Sequence, residues 1–145
     1  MKWRQLTEQE AATLPEARLS GSLLFAVIVA ACLFVVAIAG AILAFDRLRE
    51  IGPRYMAAVA FIAVWSPVFV IMTLLRGRCT PAVASIGLAI WIAYRLCVVL
   101  ANGPVAHWPL LIDVLGQALL AAGFCGYMAS ALRPNAYYRR RFPTL

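Results

Sequence analysis

Apolar residues along the chain form four long runs, which short polar connections separate. The runs at residues 22–45 and 55–75 contain no charged residue, and those at 82–101 and 108–132 contain one each. A membrane-spanning helix needs about 20 consecutive apolar residues, and each run reaches that length. The pattern therefore predicts four transmembrane helices, which we call spans 1 to 4 in chain order.

The short connections also constrain how the spans pack. Helices joined by a few residues are usually antiparallel neighbours. We predict an all-α membrane protein, a four-transmembrane-helix antiparallel bundle with short loops, in which residues 1–145 form a single integral membrane domain.

The polar N-terminal segment, residues 1–19, precedes span 1. Thr7 and Glu10 have the spacing of a capping box, which starts a helix by reciprocal side-chain to backbone hydrogen bonds. The segment therefore predicts a short interfacial helix, with Trp3, Leu6 and Leu14 against the lipid headgroups. A frayed terminus is the alternative.

Composition supports the membrane class. Hydrophobic residues make up 64% of the chain and charged residues 13%, with a mean hydropathy of +0.87. Soluble domains have about half of their residues apolar and about a quarter charged. The short connections leave no room for a separate soluble domain.

The net charge of +7 is distributed unevenly across the predicted membrane. Four spans place both termini and the connection between spans 2 and 3 on one side, which holds most of the Lys and Arg residues. Cytoplasmic loops carry the excess of such residues, so both termini are predicted to be cytoplasmic, in a bacterial inner (plasma) membrane. The opposite side holds only Arg47, Arg49 and Arg54.

The C-terminal residues 133–145 form a basic and aromatic tail on the predicted cytoplasmic side. Pro134 is expected to end span 4 just after Arg133, because proline cannot continue the hydrogen-bond pattern of a helix. Basic side chains near a membrane attract anionic lipid headgroups, and the tail is too short and too near the bilayer for a nucleic-acid arm. The residues expected to contact lipid or a protein partner are Arg133, Tyr137, Tyr138, Arg139, Arg140 and Arg141.

Small residues recur at every fourth position in the last two spans. Such rows let helix backbones approach closely in lipid, where no hydrophobic effect drives helix association. They predict packing within the bundle, with a membrane-protein partner, or in a homo-oligomer. The row in span 3 is Ser85, Ala89, Ala93 and Cys97, and the row in span 4 is Ala118, Ala122, Gly126 and Ser130.

Two charged residues lie inside the last two runs. Arg95 is placed near the outer end of span 3, and Asp113 near the outer start of span 4, so both lie at a similar depth. Gln117, one turn from Asp113, extends this intramembrane polar cluster. Three interpretations remain open: an ion or substrate site, a salt bridge that joins the two spans, or Arg95 reaching out to the headgroups.

Span 2 contains Pro67 near its middle. A proline inside a helix removes one backbone hydrogen bond and commonly bends the helix, so a kink is predicted here. Ser66 is the candidate side chain to satisfy the carbonyl that loses its donor.

Residues suited to catalysis or metal binding are few. The four cysteines form no C-x-x-C pair, and His107 is the only histidine. A haem or a metal site needs at least two good ligands from facing helices, so no cofactor and no metal are expected. Enzymes of lipid metabolism use several carboxylates to bind Mg²⁺, whereas the spans contain one, so an enzyme is not expected.

The chain from about residue 18 to 142 resembles the bacterial "domain of unknown function 2569" family of small four-span inner-membrane proteins. The resemblance rests on Gly21 and Leu23 at the start of span 1, on a basic turn with Pro81 before span 3, and on an aromatic and basic ending from Tyr127 to Phe142. The family has a Trp where this chain has Ser22, and a shorter ending. The resemblance implies a four-span fold and no known activity.

Together these features favour a non-enzymatic accessory, assembly or structural subunit that acts through helix packing. The alternative is a small oligomeric transporter or channel that uses Arg95 and Asp113. The two hypotheses differ in whether Asp113 must be ionisable for function.

Overall fold

The computed structural model describes residues 2–101 and 108–144. In order, these residues form strand β1 (Lys2–Gln5), α1 (Glu8–Thr13), a 3-10 turn (Pro15–Ala17), α2 (Gly21–Leu43), α3 (Phe45–Ile51), α4 (Pro53–Leu74), α5 (Thr80–Ala101), α6 (Trp108–Ser130), α7 (Leu132–Arg139) and β2 (Arg141–Thr144). The connection between α5 and α6, with His107, lies outside the described residues.

Four helices, α2, α4, α5 and α6, are long and apolar enough to cross a membrane. The predicted all-α class with four membrane-length helices is therefore confirmed. Their exposed surfaces carry large apolar side chains, such as Phe25, Leu43 and Leu120. Apolar surface of this extent is stable in lipid and unfavourable in water. The protein is a multi-pass membrane protein, and its single-domain organisation stays a prediction.

The backbone forms two compact units, residues 18–77 and residues 1–17 with 78–145. In the first unit α2 packs against α4, and α3 lies between them in sequence and packs on α4. The sequence analysis treated the residues of α3 as a loop. Gly52, with φ of 118°, separates α3 from α4 in a conformation that residues with a side chain rarely adopt.

Pro67 lies inside α4, and the helix continues through it to Leu74. The Ser66 side chain is completely buried, yet its hydroxyl oxygen has no hydrogen-bond partner. The expectation that Ser66 satisfies the carbonyl freed by Pro67 is therefore wrong, since the hydroxyl does not turn toward that carbonyl. A bend at Pro67 stays a prediction.

The second unit contains α5, α6 and both chain termini. Side-chain contacts join Trp91 to Gln117 and Arg95 to Asp113. From Trp91 to Arg95 the residue number on α5 rises, while the number of the partner on α6 falls from 117 to 113. The two helices are therefore antiparallel, as the sequence predicted.

The two ends of the chain are joined in a small structure that the sequence analysis did not foresee. We call residues 2–17 and 132–144 the terminal clasp. Strands β1 and β2 pair in antiparallel register, with Gln5 opposite Arg141. The Leu6 backbone N–H donates to the Arg140 carbonyl at 2.7 Å, which continues the ladder by one residue. Because the termini are hydrogen-bonded to each other, they lie on one side of the membrane.

Proline is tolerated in β2 because of this register. The hydrogen bond at Leu6 and Arg140 marks that pair as hydrogen-bonded, and pairs alternate along an antiparallel ladder. The pair of Trp3 and Pro143, three positions along, is therefore a non-hydrogen-bonded pair. The missing N–H of Pro143 leaves no gap in the ladder there.

Helix α1 begins with the capping box that the sequence predicted. The Glu10 backbone N–H donates to the Thr7 hydroxyl at 3.3 Å, and the Thr7 backbone N–H donates to Glu10 Oε2 at 2.9 Å. The predicted headgroup contact is wrong for Leu6; that of the partly buried Leu14 stays a prediction, and the Trp3 side chain lies outside the described residues. Leu6 is buried with Ala17 and Ala136, and Leu14 packs against them, because burial inside the clasp removes the same apolar surface from water.

The C-terminal tail is folded as well. The last span ends at Ser130, and the extended backbone of Ala131 separates it from α7. The prediction that Pro134 ends this span is wrong. Pro134 lies in the first turn of α7, where a missing backbone donor costs little because those N–H groups lack intrahelical partners.

Candidate functional site

An intramembrane polar cluster joins α5 to α6, and it consists of Trp91, Arg95, Asp113 and Gln117. Arg95 donates through Nη2 to Oδ2 of Asp113. The Gln117 amide donates through Nε2 to the same carboxylate oxygen at 2.9 Å. Trp91 donates from Nε1 to Gln117 Oε1 at 3.0 Å, so the four side chains form one connected network.

Helical spacing explains why these residues meet. Trp91 and Arg95 lie four positions apart on α5, as do Asp113 and Gln117 on α6, and residues at this spacing share one face of a helix. The Arg95 guanidinium carbon also lies 5.9 Å from the centroid of the Trp91 ring, within the range of a cation–π contact. Each helix therefore presents one charged and one polar partner to the other.

Exposure differs between the two charged side chains. The Arg95 side chain is 23% exposed, whereas that of Asp113 is 49% exposed. The Arg95 Nε atom is buried and has no hydrogen-bond partner. The carboxylate is thus open on one side, while the guanidinium is held between the two helices with one donor unused.

The geometry of Arg95 corresponds to one of the three interpretations, the salt bridge between the last two spans. Arg95 contacts Asp113 directly, as a bridge between the last two spans would require. A guanidinium that reached only for headgroups would leave Asp113 without this contact. An ion or substrate site at this cluster stays a prediction.

Six of the eight residues in the predicted helix-packing rows are exposed, and Ser85 and Ala118 are half-buried. On α5, Ala89, Ala93 and Cys97 are exposed, and on α6, Ala122, Gly126 and Ser130 are exposed. A Cβ added at Gly126 would meet no atom within 4 Å. The six exposed residues therefore do not join α5 to α6, and packing of the rows against another helix stays a prediction.

Other residues occupy the buried positions, and on α5 these include the small residues Ala84 and Gly87. Val99 of α5 is buried, and so are Val114 and Met128 of α6. Arg95 lies on the side of α5 away from the small-residue row, about 160° from Ala93 and Cys97 at 100° per residue. The charged pair and the small residues therefore face in different directions. This explains how Arg95 and Asp113 can be in contact while the two rows of small residues are not.

The expected contacts of the C-terminal tail divide into two groups. Tyr137 and Tyr138 are buried, 5% and 2% exposed, with their rings in an edge-to-face contact. Neither ring is available to lipid headgroups, so that expectation is wrong for both. Arg140 and Arg141 are exposed and Arg133 is half-buried, and contact of these arginines with lipid or a partner stays a prediction.

Asn135 holds Arg139 in a defined position. The Asn135 side chain is 3% exposed and donates through Nδ2 to the carbonyls of Ala129 and Ala131 at 3.2 and 2.9 Å. Its Oδ1 accepts from Nη1 of Arg139 at 3.1 Å. No sequence pattern pointed to Asn135, because its partners come from the break between α6 and α7.

Gln5, Arg78, Arg139 and Arg141 line a pocket of about 200 Å³ at the terminal clasp. The sequence analysis placed two of these arginines in the tail and did not connect them with Gln5 or Arg78. The pairing of β1 with β2 was the missing information, since it brings Gln5 next to Arg141.

Acidic and cationic groups also meet on the other side of β1. Arg4 Nη1 lies 3.0 Å from Glu10 Oε1. Hydrogen bonds from the Thr7 backbone and hydroxyl hold the pKa of the Glu10 carboxyl below its ordinary value, with a smaller contribution from Arg4. Hydrogen bonding to the charged form favours ionisation.

Metal ligands are not assembled in the part of the chain that the structure describes. Among residues 2–101 and 108–144, no group of three His, Cys, Asp or Glu side chains could hold an ion. The cysteines there are free thiols at positions 32, 79, 97 and 125.

The fold and the polar cluster define a multi-pass helical membrane protein. No protein-family model, curated protein sequence or solved structure matches the chain at a significant level. The resemblance to the four-span family described above stays a prediction.

Proposed function

We propose that the protein is a non-enzymatic accessory or assembly subunit, which packs its last two spans against a helix of another membrane protein or of a second copy. The observation that carries the proposal is the outward direction of the small-residue rows. Ala93 on α5 and Ala122 and Gly126 on α6 are exposed on the single chain. Small residues on a lipid-facing surface let another helix approach closely.

The polar cluster supports the same function by fixing α5 against α6. The charged contact between Arg95 and Asp113 and the hydrogen bond from Trp91 to Gln117 hold the two helices together on the side away from the rows, and Gln117 also donates to Asp113 within α6. The outward surface is then presented by a pair of helices with a fixed relative position. Such preorganisation reduces the entropic cost of binding a partner.

Purification in mild detergent, with the mass of the complex measured by light scattering, tests this proposal. Ala122→Leu places a larger side chain in the row and should release the partner or second copy, so that the mass falls to that of one chain. Leu120→Trp is the matched control, because residues two apart point about 160° from each other on a helix. A single-chain mass for the unmodified protein, or equal losses in both variants, would argue against the proposal.

Transport is a second candidate, and the half-exposed carboxylate of Asp113 favours it. A transported ion or substrate needs an accessible group, and Asp113 is 49% exposed while Arg95 Nε lacks a partner. Asp113→Asn would then abolish flux in loaded vesicles and leave the protein's abundance unchanged. Loss of abundance or assembly with this variant supports the packing function instead.

For orientation, we propose that both termini are cytoplasmic in a bacterial inner membrane. The excess of Lys and Arg on the side of the termini supports this, since such residues are retained in the cytoplasm. A phosphatase fused after Leu145 should be inactive and a fluorescent protein fused there should fluoresce. An active phosphatase would reverse the orientation.

A further inference from the structure

The pocket at the terminal clasp is lined by one amide and three guanidinium side chains. Among the residues that the structure describes, Gln5, Arg78, Arg139 and Arg141 line it, and none of these carries a carboxylate. Three cations around a space of about 200 Å³ repel each other unless an anion neutralises them. The lining is therefore suited to an anion.

The fold holds the lining residues together from three separate parts of the chain. Gln5 and Arg141 are opposite each other in the β1–β2 ladder, so their side chains leave the same face of the ladder. Arg139 is oriented by Asn135 Oδ1 at 3.1 Å, and Asn135 is itself buried and fixed by two backbone carbonyls. Arg78 lies two residues before α5.

The nearby acidic group is directed away from the pocket. Arg4, next to Gln5 in β1, projects from the opposite face of the strand and pairs with Glu10 at 3.0 Å. Opposite charges are thus matched on one face of β1, whereas the described residues that line the pocket on the other face include three arginines and no acidic residue.

We propose that this pocket binds a phosphate group. The planar guanidinium fork matches phosphate oxygens in a bidentate manner, and charge-assisted hydrogen bonds of this kind are about twice as strong as neutral ones. The pocket is smaller than the roughly 300 Å³ at which sites for drug-sized molecules begin, so it suits a phosphate group more than a large organic ligand. The amide of Gln5 adds a neutral donor.

Two sources of phosphate fit this chemistry. Arg78 lies two residues before a membrane-length helix, where the phosphate of an anionic lipid would be found. The other source is a soluble phosphate compound on the side of the termini. Binding to the pocket does not depend on whether the spans pack against a partner, so it can be tested separately from the proposed function.

The test uses the full-length protein in nanodiscs and measures its apparent Tm at a fixed scan rate. One arm adds phosphatidic acid to phosphatidylcholine, and the other adds soluble pyrophosphate to pure phosphatidylcholine nanodiscs. At least one arm should raise Tm by about 2 °C or more, relative to chloride at the same ionic strength. A response only to the lipid identifies a headgroup site, and a response only to pyrophosphate identifies a site for soluble phosphate.

The double variant Arg78→Gln/Arg141→Gln should lose this rise, with binding weakened at least about tenfold, because two charge-assisted contacts are removed. Arg47→Gln/Arg49→Gln is the matched control, since it removes the same charge from α3 and should keep the full rise. An unchanged Tm without ligand checks that the Gln pair folds. Arg78→Lys/Arg141→Lys keeps both charges and should bind with intermediate affinity.

No rise in Tm in either arm would overturn the phosphate site. An equal loss in the α3 control would show general charge attraction instead of a pocket, and would also overturn it. If the Gln pair does not fold, the Lys pair decides, because a full wild-type response there contradicts bidentate recognition by these arginines.

Discussion

Arg95 near the end of α5 contacts Asp113 near the start of α6 through one guanidinium nitrogen and one carboxylate oxygen. The contact lies between two helices of membrane-spanning length, where an isolated charge is costly. Gln117 donates to the same carboxylate and accepts from Trp91, so the charged pair belongs to a network of four side chains. This network determines which faces of α5 and α6 are turned toward each other.

Replacement of Asp113 by Leu should destabilise the protein. The variant leaves the Arg95 guanidinium and the Gln117 amide without their acceptor, at a cost of about 1–3 kcal/mol in the free energy of unfolding. Unfolding in dodecyl sulfate, followed by circular dichroism, measures the change. The combination Arg95→Leu/Asp113→Leu should recover part of the loss, because neither helix then carries an uncompensated charge.

Asp46→Leu is the matched control for this series, because Asp46 is an exposed acid on α3 outside the cluster. It should leave the free energy of unfolding nearly unchanged. Additive losses in the Arg95 and Asp113 double variant, without any recovery, would show that the pair contributes no coupling energy.

A disulfide should form between cysteines placed at Gln5 and Arg141. These residues are opposite each other in a non-hydrogen-bonded pair, in which Cα atoms are about 4.5 Å apart and a disulfide fits. In a background with Cys79→Ser, mild oxidation of the purified protein should give a faster-migrating band that reductant removes. The test probes the strand register and the location of both termini on one side.

The out-of-register pair Arg4→Cys/Arg141→Cys controls for random collision. Neighbouring residues of a strand project to opposite faces, so this pair should stay reduced under the same conditions. Equal oxidation of both pairs would indicate that the ends of the chain meet without the observed register.

Acidification should weaken the start of α1 through Glu10. The folded-state pKa of this carboxyl lies below its ordinary value of 4.5, chiefly because the Thr7 backbone donates to it. Its contribution to stability is therefore complete above the ordinary pKa, and it is lost as the pH falls through the lower, folded-state pKa. Hydrogen-exchange protection factors of α1 amides, compared at several pH values, should fall in that acidic range.

Glu10→Gln removes the titrating group and keeps a side chain that can accept the same hydrogen bonds. Protection in this variant should be lower than in the wild type near neutral pH and should lose most of the acid dependence below pH 4.5. A wild-type pH profile in Glu10→Gln would assign the acid sensitivity to another group.

The spans could be predicted from sequence because lipid imposes a simple requirement. Each must be long and apolar, and every backbone polar group must be satisfied within the helix. The meeting of Arg95 with Asp113 was also accessible, since charges at similar depth on consecutive antiparallel helices tend to pair. The direction in which the small residues face could not be predicted. Regular spacing places Ala93 on one face of α5 and Ala122 on one face of α6, but it does not determine what each face contacts.

The terminal clasp could not be predicted for a different reason. β1 and β2 are four residues each and lie at opposite ends of the chain, so no local pattern links them. The αL conformation of Arg140, with φ of 49°, turns the chain from α7 into β2, although non-glycine residues seldom adopt it. Asn135 can bind the backbone carbonyls and Arg139 only because the helical conformation is interrupted between Ser130 and Leu132.

Site-specific photo-crosslinking in native membranes tests the packing function most directly. A photoreactive phenylalanine analogue replaces Leu119 in one strain and Leu120 in another, since both are about equally exposed, at 76% and 77%. Leu119 lies about 60° from Ala122 around α6, and Leu120 about 160° away. We predict a discrete crosslinked protein product from position 119 and none from position 120. If both positions gave single-chain protein and no crosslinked product, under conditions in which the probe reacts with lipid, the result would contradict the proposed packing function.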